Sequence, residues 1–234
     1  MTLFKINGER NSGTTFLARI LQVNKFPVYE HHFDNENKIV YHWKHRVPTD
    51  DYKELDSQVV DIFIFRNLKE WLVSMSQNMY HLESEKITQE NFKEFLVKTN
   101  KTSVKDFKDY RSRKIANIED NGKNVFEIRY YKFNGIMDYK NRNKNIVFVN
   151  LEYLQNQDNL LDFLKQLDEN YLQRNNNNNY ITNIAHTKDK KELKNRKYDI
   201  NIDCFEKMIQ NSKNNFIEEY IKNLDFEIFN KTNL

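Results

Sequence analysis

The chain predicts an α/β fold of three layers, with a central, mainly parallel sheet flanked by helices. Three observations carry this expectation. Apolar runs of strand character, LFKI at Leu3–Ile6 and VVDIFIF at Val59–Phe65, stand apart from stretches whose apolar residues recur at helical spacing. Strands separated by helices favour a parallel sheet. The 234 residues, 38% of them apolar and 14% aromatic, suffice for one domain, 1–234, with a core of its own.

The elements follow in order. Leu3–Ile6 reads as a short buried strand. Thr14–Val23 reads as a helix, because Phe16, Leu17, Ile20 and Leu21 share a face. Pro27–Phe33 and Lys38–Trp43 read as strands around the turn-like DNEN. Val59–Phe65 is the strongest strand signal. Asn67 then caps a helix from Leu68 to about His81. Two or more helices are expected within Thr88–Glu119, and strands at Val125–Tyr131 and Asn145–Leu151. Asp158–Leu167 reads as an amphipathic helix, Gln173–Asn183 as a loop, Asp203–Leu224 as a helix and Asp225–Phe229 as a short strand. The asparagine run at Asn175–Asn179 reads as a solvated loop.

Composition narrows the function. A net charge of +3 is too mild to argue for nucleic acid. The single cysteine, Cys204, makes no internal disulfide and suits a reducing compartment. No apolar run is long enough to span a membrane, and the first strand leaves no room for a signal peptide. A soluble, cytoplasmic protein is expected.

The chemistry gathers in Asn7–Leu17, NGERNSGTTFL. Gly8 and Gly13 stand where a P-loop places its glycines, but the next residue is Thr14 and not the lysine of the triphosphate-binding pattern. The fold is therefore expected to be P-loop-like without being that of a common triphosphate enzyme. A strand, a glycine-containing loop and a helix start supply unpaired amides and a partial positive charge, which suit phosphate or sulfate. Ser12, Thr14 and Thr15 add hydroxyls, and Arg10 adds a charged donor fork. The plain alternative is a strand–helix turn capped by serine or threonine. VVDIFIF ends in Arg66 where a magnesium-dependent kinase carries an aspartate, and Asp61 lies inside the strand. Ser74 falls about two helical turns after Arg66, so both can meet one phosphate. An ordinary surface ion pair is the alternative for Arg66.

Taken together, Ser12–Thr15 and the segment of Arg66, Asn67 and Ser74 resemble the sulfotransferases that use 3′-phosphoadenosine-5′-phosphosulfate (PAPS). The stretch YHWKHRVP at Tyr41–Pro48 is similar to that family's K-x-H-x-P segment, and NIVFVNLEYLQNQDNLLDFLKQL is similar to its late strand and helix. The resemblance covers most of the chain, with the sharp motifs in three short segments. It implies that Ser12, Gly13, Thr14 and Thr15 hold the 5′-phosphosulfate, that Arg66 and Ser74 hold the 3′-phosphate, and that His45 is the catalytic base. It implies a co-substrate, PAPS, a product, adenosine 3′,5′-bisphosphate (PAP), and no metal. Lys44 is then expected to assist the leaving group or the sulfuryl group. Two departures stand out. The family carries Lys or Arg directly before SGTT, whereas this chain has Asn11 there, with Arg10 one place earlier; both are expected to line the cofactor site, and Arg10 to take the basic residue's part toward the leaving group. Its C-terminal R-K-G segment has only Arg196–Lys197 as counterpart, followed by Tyr198.

The expected activity is sulfuryl transfer to an acceptor hydroxyl, on a carbohydrate or another small molecule, with amine acceptors left open. One rival is a P-loop kinase or other phosphotransferase. A second is a nucleotide- or polyanion-binding module of the same fold without turnover. His31, His32 and His42 read as structural or pocket-lining residues, and with His45 they match no compact zinc spacing. Trp43 and Tyr41 read as core or pocket wall. The acceptor itself and the oligomeric state are not written in these residues.

Overall fold

The computed structural model describes residues 2–9, 11–29, 59–77, 87–97, 124–142, 145–174, 179–183, 200–210 and 215–229. A four-stranded sheet forms from β1 (Leu3–Gly8), β2 (Val59–Phe65), β3 (Ile146–Asn150) and β4 (Phe226–Phe229), adjacent in that order. The first three strands are parallel and β4 runs antiparallel to β3. Val28 adds a parallel bridge to Phe4 on the outer side of β1. That contact falls in the expected strand Pro27–Phe33, of which residues 30–33, with Lys38–Trp43, lie outside the described residues.

Alternation along the strands sends side chains to two faces. Phe4, Ile6, Val60, Ile62, Ile64, Val147 and Val149 meet three helices, α1 (Thr14–Val23), α5 (Leu151–Leu154) and α6 (Gln157–Leu167). On the other face Phe63, Phe65, Ile146 and Phe148 meet α4 (Val125–Arg142) and α8 (Asn215–Asn223). A third apolar cluster joins α2 (Leu68–Gln77) and α3 (Phe92–Val97) to Val125, Ile200 and Ile209, the last on α7 (Glu206–Gln210). No described helix is long and apolar enough to cross a membrane.

Two sequence expectations are corrected. Val125–Tyr131 is the start of the eighteen-residue helix α4 and not a strand. The Asn124 side chain accepts from Phe126 and Glu127 amides while Glu127 accepts from the Asn124 amide, a reciprocal cap that starts a helix. Residues 125, 128, 129, 132, 133, 136 and 139 are buried, which is helical and not alternating spacing. Secondly, Asp203–Leu224 is not one described helix. It comprises a 3₁₀ turn at Ile202–Phe205, capped by Asn201, then α7 and α8 on either side of residues outside the described set.

The loop expected at Gln173–Asn183 follows a π-helical turn, Asp168–Leu172. Buried Asp168 accepts from the Arg174 guanidinium at 2.9 Å, the Arg174 amide at 3.0 Å and the Tyr180 hydroxyl at 2.6 Å. Burial works against the carboxylate, but these donors outweigh it and hold its pKa below 3.8. A depressed folded pKa stabilises the fold above the unfolded value and loses that contribution as pH falls through the folded one. The stability gap between parent and Asp168→Asn, about 1.5–3 kcal/mol for a charge-assisted cluster, should therefore be full at neutral pH. It should narrow as urea melts are taken below pH 3.8. A gap that stays constant into that acid range would contradict this.

Candidate anion-binding site

Three parallel strands deliver their carboxyl ends to one edge of the sheet, the edge where open α/β sheets bind ligands. The loop from Glu9 follows β1, Arg66 follows β2, and Asn150 to Glu152 follow β3. Buried Asn150 knits the junction, donating to Asn67 Oδ1 at 3.1 Å and to the Ile221 carbonyl at 2.7 Å.

The loop folds tightly on itself. The amide and hydroxyl of buried Ser12 both donate to the Glu9 carbonyl, at 3.2 and 2.6 Å. Asn11 has φ 62° and Gly13 has φ 95°, both left-handed. Asparagine tolerates that region better than lysine does. This gives a conformational reason for Asn11 where the resembled pattern carries a basic residue. Gly13 caps α1 without a side-chain hydrogen bond, and the first turn of α1 holds no acidic residue. Thr14 is buried and Thr15 exposed at that helix start. A Cβ at Gly13 would lie 2.7 Å from Leu151, and one at Gly8 would lie 2.5 Å from the Ser12 hydroxyl and 2.6 Å from the Ile64 carbonyl. The Ile64 carbonyl belongs to the neighbouring strand and cannot swing aside. Gly8→Ala should cost about 1–3 kcal/mol in urea melts and displace Ser12; unchanged stability would contradict the packing described.

The second segment abuts the first. Arg66 donates from Nη1 to the Asn11 carbonyl at 3.2 Å. The Asn11 side chain donates from Nδ2 to the Ser74 carbonyl at 3.4 Å and to the Met75 sulfur at 3.2 Å. Asn11, Arg66 and the backbone of buried Ser74 are thus brought together. Arg66 Nε also lies 3.5 Å from Glu152 Oε1, and Glu152 Oε2 accepts from the Asn67 amide at 3.0 Å. Glu218 accepts from the next amide, that of Leu68, at 2.9 Å. Carboxylates therefore cap α2, in contrast to α1. Burial pushes the Glu152 carboxyl above its usual value, against the pull of the Asn67 amide and of Arg66. A phosphate that bound both Arg66 and the start of α2 would meet Glu152 and would require it to turn away or take a proton.

The expected residues Arg10, Lys44, His45, Arg196 and Lys197 lie outside the described residues, as do His31, His32, His42, Tyr41 and Trp43. Among the described residues no cluster of acidic, histidine or cysteine side chains is arranged to hold a metal. Asp61 is accounted for inside the sheet. It accepts from Asn7 and from the Tyr139 hydroxyl, both at 2.8 Å, and faces Lys5 at 3.7 Å.

Four acidic or basic side chains at this edge were not singled out by sequence: Glu9, Arg129, Glu152 and Glu218. Glu9 and Glu152 adjoin the segments that carry the anion-binding motifs. Arg129 was hidden because its segment was read as a strand.

No family model matches this chain. No curated protein and no solved structure matches it at the significance required.

Proposed function

We propose that this protein transfers a sulfuryl group from PAPS to an acceptor hydroxyl, with a carbohydrate or another small molecule as acceptor. One observation carries most weight in support: the Asn11 carbonyl receives Arg66 while the Asn11 side chain reaches the backbone at Ser74. Two segments suited to two anions thereby adjoin at the carboxyl edge of a mainly parallel sheet. A ligand with phosphates on both sides of one ribose, as in PAPS, suits two neighbouring anion sites.

In this reading the loop amides at Gly13 to Thr15 take the 5′-phosphosulfate and Arg66 with Ser74 takes the 3′-phosphate, aided by Arg196 and Lys197. His45 removes the acceptor hydroxyl proton as its oxygen forms a bond to sulfur. The bond between sulfur and the bridging oxygen breaks, and PAP leaves with the charge. Amides and the cations Arg10 and Lys44 stabilise that charge as it develops. The step needs no metal.

A second reading, ligand binding without turnover, is favoured by Asn11, whose left-handed backbone and engaged side chain supply no cation before SGTT. Thermal-shift titration with PAP, PAPS, 5′-AMP, GTP and magnesium ATP tests the proposal. PAP and PAPS should stabilise most, by about 2.7 kcal/mol at a hundred times the dissociation constant. Equal stabilisation by magnesium ATP would overturn it. PAP binding with no transfer to any of a panel of sugars and phenols would favour the second reading.

A further inference from the structure

Arg129 on α4 is 1% exposed, and every nitrogen of its guanidinium is committed. Nη1 pairs with Glu9, Nε donates to Glu218 at 2.9 Å, and Nη2 donates to the main-chain carbonyl of Arg66 at 2.6 Å. The guanidinium also lies 4.9 Å from the Trp71 ring on α2. Each partner belongs to the candidate site. Glu9 roots the loop, and its carbonyl anchors Ser12. Arg66 is the cation of the second segment. Glu218 holds the Leu68 amide at the start of the helix that carries Ser74.

One planar side chain therefore fixes the root of the first anion segment against the root of the second. Other ion pairs, such as part-exposed Arg174 with buried Asp168, lie elsewhere in the fold. We infer that Arg129 is a positioning residue: it sets the spacing between the Ser12–Thr15 loop and the Arg66–Ser74 segment, and so determines preference for a ligand with two phosphates over one with a single phosphate. This rests on the bisphosphate reading above. The fork geometry is essential to it, because a lysine ammonium is a point charge that cannot hold three partners at fixed angles.

Arg129→Ala would strand the buried Glu9 and the part-buried Glu218 carboxylates and threaten the fold, so Arg129→Lys is the informative replacement. PAP and 5′-AMP affinities are measured by calorimetry on the parent and on the variant. The preference for PAP over 5′-AMP should fall about tenfold in Arg129→Lys, the effect of one lost charge-assisted contact, with 5′-AMP affinity nearly unchanged. A merely structural role would lower the melting temperature and leave that ratio alone. Glu9→Gln keeps Arg129 on Glu218 and on the Arg66 carbonyl but weakens its hold on the loop. It should lower the ratio in the same direction, and it decides the matter if Arg129→Lys does not fold. A folded variant that keeps the parental ratio overturns the role of Arg129 and leaves the bisphosphate reading standing. A parent with no preference for PAP overturns that reading and the inference with it.

Discussion

Arg66→Ala is expected to weaken PAP binding roughly 10- to 100-fold, since a charge-assisted contact contributes about 1.5–3 kcal/mol. The expectation concerns the 3′-phosphate alone. Among the described residues Arg66 reaches the first loop through the Asn11 carbonyl, whereas Ser12 is tied to the loop by its own contacts with Glu9. The affinity for 5′-AMP should therefore change little, and calorimetry with both ligands separates the two effects. Arg66 also faces Glu152. Its removal leaves Glu152 beside the site without that cation. Equal losses for PAP and 5′-AMP would mean that Arg66 supports the loop and does not hold a phosphate.

His45→Ala should lower turnover roughly 100- to 10,000-fold, the usual contribution of a positioned general base. In the proposed transfer the proton on an acceptor hydroxyl leaves as the bond to sulfur forms, and an imidazole near neutral pKa suits that task. PAP affinity should be nearly intact, because a base acts on the acceptor and not on the nucleotide. A loss in kcat with unchanged PAP binding is the signature of an interaction made in the transition state. His42→Ala should do much less. The measurement uses the first acceptor in the sugar and phenol panel to show transfer. Full activity of His45→Ala on that acceptor would move the role elsewhere, with His32 next in line.

How much of this was legible in the sequence differs from element to element. VVDIFIF could be read because both faces of β2 are covered, so nearly every position is apolar. The bounds of α1 could be read because Gly13 and the apolar stripe of Leu17, Ile20 and Leu21 mark them. VFEIRYY misled because its aromatic and branched residues suit a strand, while the decisive signal was the pair of Asn124, just before it, and Glu127 within it. That error concealed Arg129. Even a correct helix would not have shown its partners, since Glu9, Arg66 and Glu218 are far apart in the chain and meet only through the sheet. The two glycines and Arg66 were visible as motifs. The approach of Asn11 to Ser74 was not, because it depends on how closely α2 lies against the loop.

The polar pair inside the sheet has a consequence for which alignment the strands adopt. Alternation of buried side chains forbids β1 to shift by one residue against β2, since that would turn every side chain to the wrong face. It does not forbid a shift by two. In the native alignment Lys5 stands opposite Asp61, which also receives Asn7 and Tyr139. A two-residue shift would set Lys5 opposite Val59 or Phe63 and would strand a charge among apolar neighbours. Buried ion pairs add little net stability compared with a well-packed apolar replacement. Here the pair separates one alignment from others that hydrophobic burial alone would leave nearly degenerate.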